Sequence, residues 1–314
     1  MKNLYNSYSF KDWIVACLRI SLGVMFIFSG FVKLIPIEPF ELKFIELGIA
    51  NWIVAPFMAR LIIAVELFLG LMLILNIKPR ATVRATIIVL VFFTFYLLYD
   101  ILKNGNDGNC GCFGTIIVMT PVESIVKNLL MIPLVLILML MNTKELNFKI
   151  PILISLLAIV SIAAPFILYP LDDLEDREAI NSEKIDYPFP VNTLQDFNSK
   201  GSKIDFRKGE FILAFMSVEC LHCKNAAYKL YIINKQKKLP PIYMILLGTE
   251  EEVPNFVSET KADFPYYLFN KTDFFQIAGN SVPRIFYIKS GIVKAKFDSN
   301  SLTETSLSEA LQKR

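Results

Sequence analysis

Four of the five cysteines in this 314-residue chain fall into two close pairs. One pair is Cys110 and Cys112 in NCGCFG, and the other is Cys220 and Cys223 in ECLHCKN. Thiol-disulfide exchange needs one thiolate that attacks and a second thiol that closes the disulfide, and a close pair supplies both. The spacing therefore predicts two redox centres, which either act separately or exchange with each other.

The Cys-x-x-Cys pair comes directly after FILAFMSV, a predicted buried strand, and opens a predicted helix that runs to about Lys237. A helix N-terminus stabilises a thiolate, so Cys220 is the predicted attacking thiol. Cys223 follows one turn later and is the predicted resolving thiol. His222, the chain's one histidine, lies between them, where a positive charge would stabilise the thiolate and make the couple a better oxidant.

Three other interpretations of this pair are a zinc site, a purely structural disulfide and two buried free thiols. A structural zinc ion needs four ligands, whereas this half of the chain offers two cysteines and one adjacent histidine. We therefore predict no metal.

The Cys-x-Cys pair follows KNGNDGN, a turn-rich stretch that predicts a loop at the outer end of an apolar segment. A disulfide between Cys110 and Cys112 closes a very small ring, for which Gly111 supplies the backbone freedom. Strain of this kind makes a disulfide easier to reduce. Two alternatives stay open: the cysteines merely line a loop, or they bind a metal.

Composition indicates the setting of both pairs. The chain is 54% hydrophobic and only 19% charged, which is too apolar for two ordinary soluble domains. Its net charge of +3 is small and its basic residues are scattered, so nucleic-acid binding is not expected.

Five stretches approach the roughly 20 apolar residues that a helix needs to cross a bilayer. These predicted transmembrane helices are 13–35, 53–76, 84–102, 121–141 and 150–169. Lys33 and Pro36 end the first stretch and no small-residue cleavage signature follows it, so it is predicted to be a retained span rather than a signal peptide.

The positions of lysine and arginine predict the orientation of the spans. The basic residues before span one, between spans two and three, and between spans four and five are Lys2, Lys11, Lys78, Arg80, Arg84, Lys144 and Lys149. These segments are predicted to be cytoplasmic. The N-terminus then lies inside a bacterial inner (cytoplasmic) membrane, and both cysteine pairs face the periplasm.

Span one carries ionisable and small residues on one helical face, among them Arg19, Gly23, Gly30 and Lys33. Ionisable groups inside a membrane normally turn toward a partner, and Glu66 of span two is the partner we predict for Arg19. Lys33 is placed near the far face. Small residues at 23, 30 and 70 would let the two helices approach closely. This pair is either structural or takes part in proton or quinone chemistry.

The chain changes character near residue 170. We predict a membrane bundle at 1–145, a fifth transmembrane helix at 146–170, an acidic linker at 171–200 and an extracytoplasmic globular domain at 201–314. The order strand, helix, strand, helix, hairpin and final helix predicts an α/β sandwich for the last of these.

Residues 200 to 314 resemble the thioredoxin fold. The resemblance is carried by the strand before Cys-x-x-Cys, by the helix that the pair opens and by Val282-Pro283 ahead of a later strand. It implies that the peptide bond before Pro283 is cis and that Pro283 lies against the disulfide and forms the substrate groove. Glu219 stands where the family usually has a tryptophan.

Residues 13 to 140 resemble the DoxX/MauE-like membrane family. The stretches that carry the resemblance are RISLGVMFIFSGFVKLI at 19–35, AVELFLGLMLIL at 64–75 and NCGCFG. The resemblance implies a four-helix membrane bundle with a redox role. MauE-type members are linked to methylamine utilisation through maturation of a disulfide-rich periplasmic dehydrogenase.

The sequence thus predicts a membrane-bound thiol-disulfide oxidoreductase with no covalently bound cofactor. Cys220 and Cys223 would exchange with the cysteines of periplasmic or exported proteins, and Cys110 and Cys112 with Cys220 and Cys223. Only Cys17 lies near the cytoplasmic side, which favours substrate oxidation, with a membrane quinone as the electron acceptor. The alternatives are reductant supply to cytochrome or metalloprotein maturation, and a bundle that merely anchors or binds a partner for a redox-active head.

Overall fold

The structure is a computed structural model that describes residues 10–106, 108–141, 150–171, 186–190, 198–199, 202–203, 205–269 and 271–312. The chain forms two compact units, Met1–Leu171 and Asp172–Arg314. Each unit is described by itself.

The part of the first unit that the structure describes contains five helices long and apolar enough to cross a membrane. They are α1 (Phe10–Leu34), α3 (Val54–Ile74), α4 (Pro79–Asn104), α5 (Pro121–Leu140) and α6 (Ile150–Leu168). All five predicted spans are confirmed. Helix α4 begins five residues before the predicted span because Pro79 occupies the first turn, where its fixed φ and missing N–H suit a helix start.

A short helix, α2 (Glu38–Glu46), lies in the connection between the first two spans and was not predicted. This helix carries four charged residues. Two of them are in fact buried, because Lys43 pairs with Glu46 at 3.0 Å and with Asp100 of α4 at 3.3 Å. The ion pairs allow a charged helix to pack inside the bundle.

Helices α1 and α3 pack closely through glycines. A Cβ atom built on Gly23 would lie 2.8 Å from the carbonyl oxygen of Gly70, and one built on Gly70 would lie 2.7 Å from the oxygen of Gly23. Neither position has space for a larger residue. This confirms the predicted close approach of the first two spans.

The second unit is built on a six-stranded sheet with the order β1-β8-β7-β4-β5-β6. Its strands are β1 (Tyr187–Pro188), β4 (Glu210–Ser217), β5 (Ile242–Leu247), β6 (Tyr266–Leu268), β7 (Arg284–Lys289) and β8 (Ile292–Phe297). Strands β2 (Asn198–Ser199) and β3 (Ser202–Lys203) pair antiparallel in a separate two-stranded sheet. Strands β4, β5 and β6 are parallel, whereas β7 is antiparallel to β4 and β8 to β7.

Among the described residues, four helices accompany this sheet: α7 (Leu221–Gln236), α8 (Val253–Thr260), α9 (Lys271–Ala278) and α10 (Glu304–Gln312). Residues 211–216 of β4 are all buried, which marks this strand as the centre of the core. The predicted α/β sandwich with a thioredoxin-like order of elements is confirmed.

The predicted linker at 171–200 is wrong at its centre. Tyr187 and Pro188 pair with Val293 and Ile292 of β8, and Phe189 is buried in the core of the second unit. Acidic neighbours made this stretch look like linker, but an edge strand needs few apolar residues. Residues 172–185, 191–197 and 200 of the predicted linker lie outside the described residues.

Candidate redox sites

The Cys-x-x-Cys pair lies where β4 ends and α7 begins. Cys220 is the N-cap residue of α7, and its carbonyl oxygen accepts the Lys224 amide at 3.0 Å as the first bond of the helix. The Cys220 amide donates to the Ser217 carbonyl at 3.2 Å, which forms the tight turn after the strand. The pair therefore lies at the N-terminus of α7, just beyond the end of the central strand β4.

The two thiols of this pair differ in exposure. Cys220 is partly exposed, whereas Cys223 is fully buried and its sulfur accepts the Ser217 amide at 3.3 Å. Burial raises the pKa of Cys223 well above its usual value. This geometry fits the predicted roles, in which Cys220 would meet an incoming disulfide and Cys223 would stay a protonated thiol until it resolves the mixed disulfide.

Pro283 reaches this site through the strand register. Phe215 of β4 pairs with Arg284 of β7, so Pro283 directly precedes β7 at the end of β4 that leads into the Cys220 turn. The Val282-Pro283 peptide bond is cis, as the resemblance to thioredoxins implied. His222 lies on the exposed side of the first turn of α7.

The Cys-x-Cys pair lies in the loop that joins α4 to α5, and both side chains are buried. The Cys110 sulfur lies 3.0 Å from the Ser124 hydroxyl oxygen, and the Cys112 amide donates to the Cys110 sulfur at 3.4 Å. Gly111 has a φ of 74°, in the left-handed region that favours glycine. The turn at Gly111 folds the two sulfurs toward each other in their dithiol form.

This loop, Asn109 to Gly114, packs directly on the end of α1. A Cβ atom on Gly114 would lie 2.3 Å from the Val32 carbonyl oxygen, and the Asn109 side chain donates to the Gly114 carbonyl at 2.7 Å. The same side chain accepts the Gly111 amide at 3.0 Å. These contacts were missed in the sequence, where the final glycine of NCGCFG was the available signal.

The pKa values of the two buried thiols are shifted in opposite directions. The Cys110 thiol donates a hydrogen bond that lowers the pKa of Cys112 despite burial, and the positive charges of Lys127 and Lys33 lower it further. The pKa of Cys110 is raised, because its proton is held in this bond and because the thiol is buried. The pair is therefore suited to hold one thiolate at Cys112 and one proton at Cys110.

The predicted pairing of Arg19 with Glu66 is wrong. The Arg19 guanidinium donates instead to the carbonyl oxygens of Leu73 and Ile74, at 2.8 and 2.9 Å, near the end of α3. The partner of Glu66 is Lys33, whose ammonium lies 2.6 Å from one carboxylate oxygen and 2.7 Å from the other. The contact between Gly23 and Gly70 fixes the alignment of α1 and α3 along their axes. With this alignment Arg19 lies too far from Glu66, toward the N-terminus of α1.

A water-sized cavity joins the ion pair to the thiols. Its volume is about 20 Å³, and it is lined by Lys33, Glu66, Cys110, Cys112, Tyr96, Asn128 and other residues of α1, α2, α4 and α5. The buried Tyr96 hydroxyl has no hydrogen-bond partner among the described residues. The sequence did not single out Tyr96 or Asn128, because each is one polar residue in a long apolar helix.

The fold and the sites define a membrane-bound thiol-disulfide oxidoreductase: a multi-pass helical unit that carries one cysteine pair, followed by a thioredoxin-like domain that carries another. Residues 11–141 match the family described as Methylamine utilisation protein MauE. The chain is 30% identical to Protein TlpB of Flavobacterium psychrophilum over 333 positions, which cover 90% of each protein. The chain belongs to the family of this protein, and its membrane unit is of the MauE type.

Solved structures similar to this chain cover its C-terminal part. A thiol:disulfide interchange protein from a Bacteroides species is 22% identical, with a TM-score of 0.30, over 37% of this chain and 82% of that chain. A secreted disulfide oxidoreductase of Mycobacterium tuberculosis is 15% identical, with a TM-score of 0.30, over 38% of this chain and 96% of that chain.

Proposed function

We propose that the two cysteine pairs work as a relay on the periplasmic side of the bacterial inner membrane. Cys220 and Cys223 exchange with the cysteines of exported proteins, and Cys110 and Cys112 exchange in turn with Cys220 and Cys223. The observation that carries this proposal is the environment of Cys112: a buried thiol beside Cys110, with two positive charges that favour its thiolate. A bundle that served only as an anchor would have no use for such a centre.

The relay is proposed to oxidise its substrates. Two electrons pass from a substrate dithiol to the Cys220–Cys223 disulfide, then to the Cys110–Cys112 disulfide, and from there to a membrane quinone. Support comes from Cys17, which is the chain's one cysteine outside the two pairs and has no second thiol with which to import electrons through the membrane. The cavity beside Cys112 is water-sized, so the quinone would react from the loop side rather than inside the bundle.

The proposed task is disulfide formation during the maturation of exported proteins. The name of the matching family, methylamine utilisation, suggests an exported dehydrogenase as one such substrate.

Trapping tests the relay. In a Cys17→Ser background, Cys223→Ala removes the resolving thiol, so a mixed disulfide between Cys220 and Cys110 or Cys112 should accumulate in native membranes. Digestion and mass spectrometry would detect the linked peptides. Cys220→Ala in the same background is the matched control, because Cys223 remains but is buried.

Two results would count against the proposal. If Cys220 forms mixed disulfides with exported proteins but never with the membrane pair, the bundle is an anchor for an independent redox head. If both pairs of the unaltered protein are dithiols in acid-quenched membranes, the electrons flow toward the substrate, as in reductant supply to cytochrome or metalloprotein maturation.

A further inference from the structure

The Lys33–Glu66 ion pair lies directly against the loop that carries Cys110 and Cys112. The Ser29 hydroxyl accepts a hydrogen bond from the Lys33 ammonium at 2.7 Å. The same hydroxyl can donate its own hydrogen to either of two nearby oxygen atoms. One belongs to Glu66, at 3.2 Å, and the other is the backbone carbonyl of Cys112, at 3.1 Å. One side chain thus links the ion pair to the backbone of the redox centre.

Packing alone does not explain a charged pair at this depth. Lys33 and Glu66 are only 2% and 3% exposed, and buried ion pairs seldom add stability over apolar residues of similar volume. The close contact of α1 with α3 is already made by Gly23 and Gly70. Arg19, on the same helix, satisfies its charge with backbone carbonyls and needs no acid.

The ion pair and the thiols also line one cavity, together with the Tyr96 hydroxyl and the Asn128 amide. A cavity of about 20 Å³ with several polar groups in its wall is large enough for a water molecule. Little screening solvent separates the charges from the sulfurs, so their interaction is stronger than it would be in bulk water.

We propose that Lys33 and Glu66 are positioning residues of the Cys110–Cys112 centre, a pair of opposed charges that sets how readily Cys112 exists as a thiolate. Lys33 stabilises the thiolate, and Glu66 limits this effect by holding the ammonium. The inference assigns these residues to the proposed relay and rests on that function for its use, although the charge effect itself is measurable on the membrane pair alone.

The step that benefits is reduction of the Cys110–Cys112 disulfide. An incoming thiolate attacks the Cys110 sulfur, a new sulfur–sulfur bond forms, and the old bond breaks with its electron pair on Cys112. A second incoming thiol then loses its proton to solvent and attacks the mixed disulfide, and Cys110 leaves and takes up a proton. Two electrons enter the pair, and the donor becomes a disulfide. A stabilised thiolate is the better leaving group, so Lys33 speeds the first step.

Other charged and titratable groups act on the same site. Lys127 of α5 lies 4.4 Å from the Phe113 ring centroid and adds positive charge at Cys112, and Tyr96 of α4 lines the cavity. Further out, Lys43, Glu46 and Asp100 form their own buried cluster. These groups are unchanged in the variants below, so their effect is constant.

The test is the thiolate absorbance at 240 nm as a function of pH, in the full-length reduced protein with Cys17, Cys220 and Cys223 replaced by serine. Glu66→Gln releases the Lys33 ammonium, and we expect the Cys112 midpoint to fall by about 1 pH unit. Lys33→Met removes the stabilising charge, and the midpoint should rise by a similar amount. The double variant leaves neither charge of the pair without its partner, so its Cys112 midpoint should lie between those of the two single variants.

Opposite shifts distinguish the proposal from a structural role, because damage to the bundle would move both single variants in the same direction. Arg19→Gln is the matched control on α1 and should leave the midpoint unchanged. Shifts of one sign, or no shift in either single variant, would overturn the inference. Cys220 and Cys223 are absent from this assay, so the shifts in the Cys112 midpoint do not depend on the relay. A failure to trap a mixed disulfide would leave the charge effect intact, and an absence of shifts would leave the relay intact.

Discussion

At the scale of single residues, both redox centres use the same chemical asymmetry. Each contains one thiol in surroundings that favour exchange: Cys220 lies at a helix N-terminus, and Cys112 accepts a hydrogen bond from Cys110 and lies beside positive charge. Each also contains one thiol whose proton is held, Cys223 by burial and Cys110 by its hydrogen bond to Cys112 and by burial. An exchange pair works in this way because only the thiolate attacks. In the Cys220–Cys223 pair, Cys223 stays inert until a mixed disulfide at Cys220 brings a sulfur within its reach.

Burial of Cys223 has a measurable consequence for pH dependence. Because its pKa is raised, we expect brief alkylation of the reduced protein at pH 7 to modify Cys220 and leave Cys223 as a thiol. Reactivity of Cys223 should appear only as the pH rises, because deprotonation then becomes favourable. Peptide mass spectrometry would measure both sites, and the denatured protein, in which the two thiols react alike, is the control. Equal rates in the folded protein at pH 7 would contradict this asymmetry.

The residue scale also shows what the sequence can predict. Cysteine pairs are local patterns, so both centres were found from spacing alone. The partner of Glu66 depends on how α1 and α3 are aligned along their axes. Because Gly23 contacts Gly70, Glu66 lies opposite Ile27 of α1. Arg19 is eight residues from Ile27, which corresponds to about 12 Å along the helix. Lys33 reaches the same level because helical side chains point toward the N-terminus. This alignment cannot be predicted from the sequence of either helix alone, because it depends on how the two helices pack against each other.

At the scale of elements, the loop from Asn109 to Gly114 depends on its contact with α1. Gly114→Ala would place a methyl group 2.3 Å from the Val32 carbonyl oxygen at a φ of 59°, and backbone cannot yield as a side chain does. We expect the loop to lift from α1 and the two buried thiols to react several-fold faster with a small alkylating reagent. Time-resolved mass spectrometry of the Cys110 and Cys112 peptide measures the change.

Gly279→Ala is the matched control for this loop. Gly279 also has a positive φ, of 80°, but its Cβ would meet nothing within 4 Å. This variant should lose about 1 kcal/mol from the backbone conformation and leave the membrane thiols as slow to react as before. If Gly114→Ala behaves in the same way, the contact with α1 does not hold the loop.

The elements that were missed share a physical cause. Helix α2 and strand β1 are short and carry charged or proline residues, so their local sequence resembles a connection. Their stability comes from distant partners, Asp100 for α2 and β8 for β1. Long apolar spans and the buried strand β4 were predictable because their own composition determines where they lie.

At the scale of the whole molecule, the relay requires both cysteine pairs to face one side of the membrane. The positive-inside rule predicts this arrangement, with the α4–α5 loop and the second unit outside and the α3–α4 connection inside. In a cysteine-free background, Ile116→Cys and Lys208→Cys place an exposed thiol in the α4–α5 loop and in the second unit, and Arg80→Cys places one in the first turn of α4, beside the α3–α4 connection. A membrane-impermeant maleimide applied to spheroplasts should label the first two, and the third only after the membrane is opened.

The labelling pattern decides between whole-molecule schemes because each predicts a different result. A relay needs positions 116 and 208 to label together, since thiolates and disulfides exchange by direct contact and not across a bilayer. Labelling of Lys208→Cys from outside while Ile116→Cys responds only after permeabilisation would separate the two centres. The membrane pair would then have to meet a partner other than Cys220 and Cys223, and the thioredoxin-like domain would act on its substrates alone.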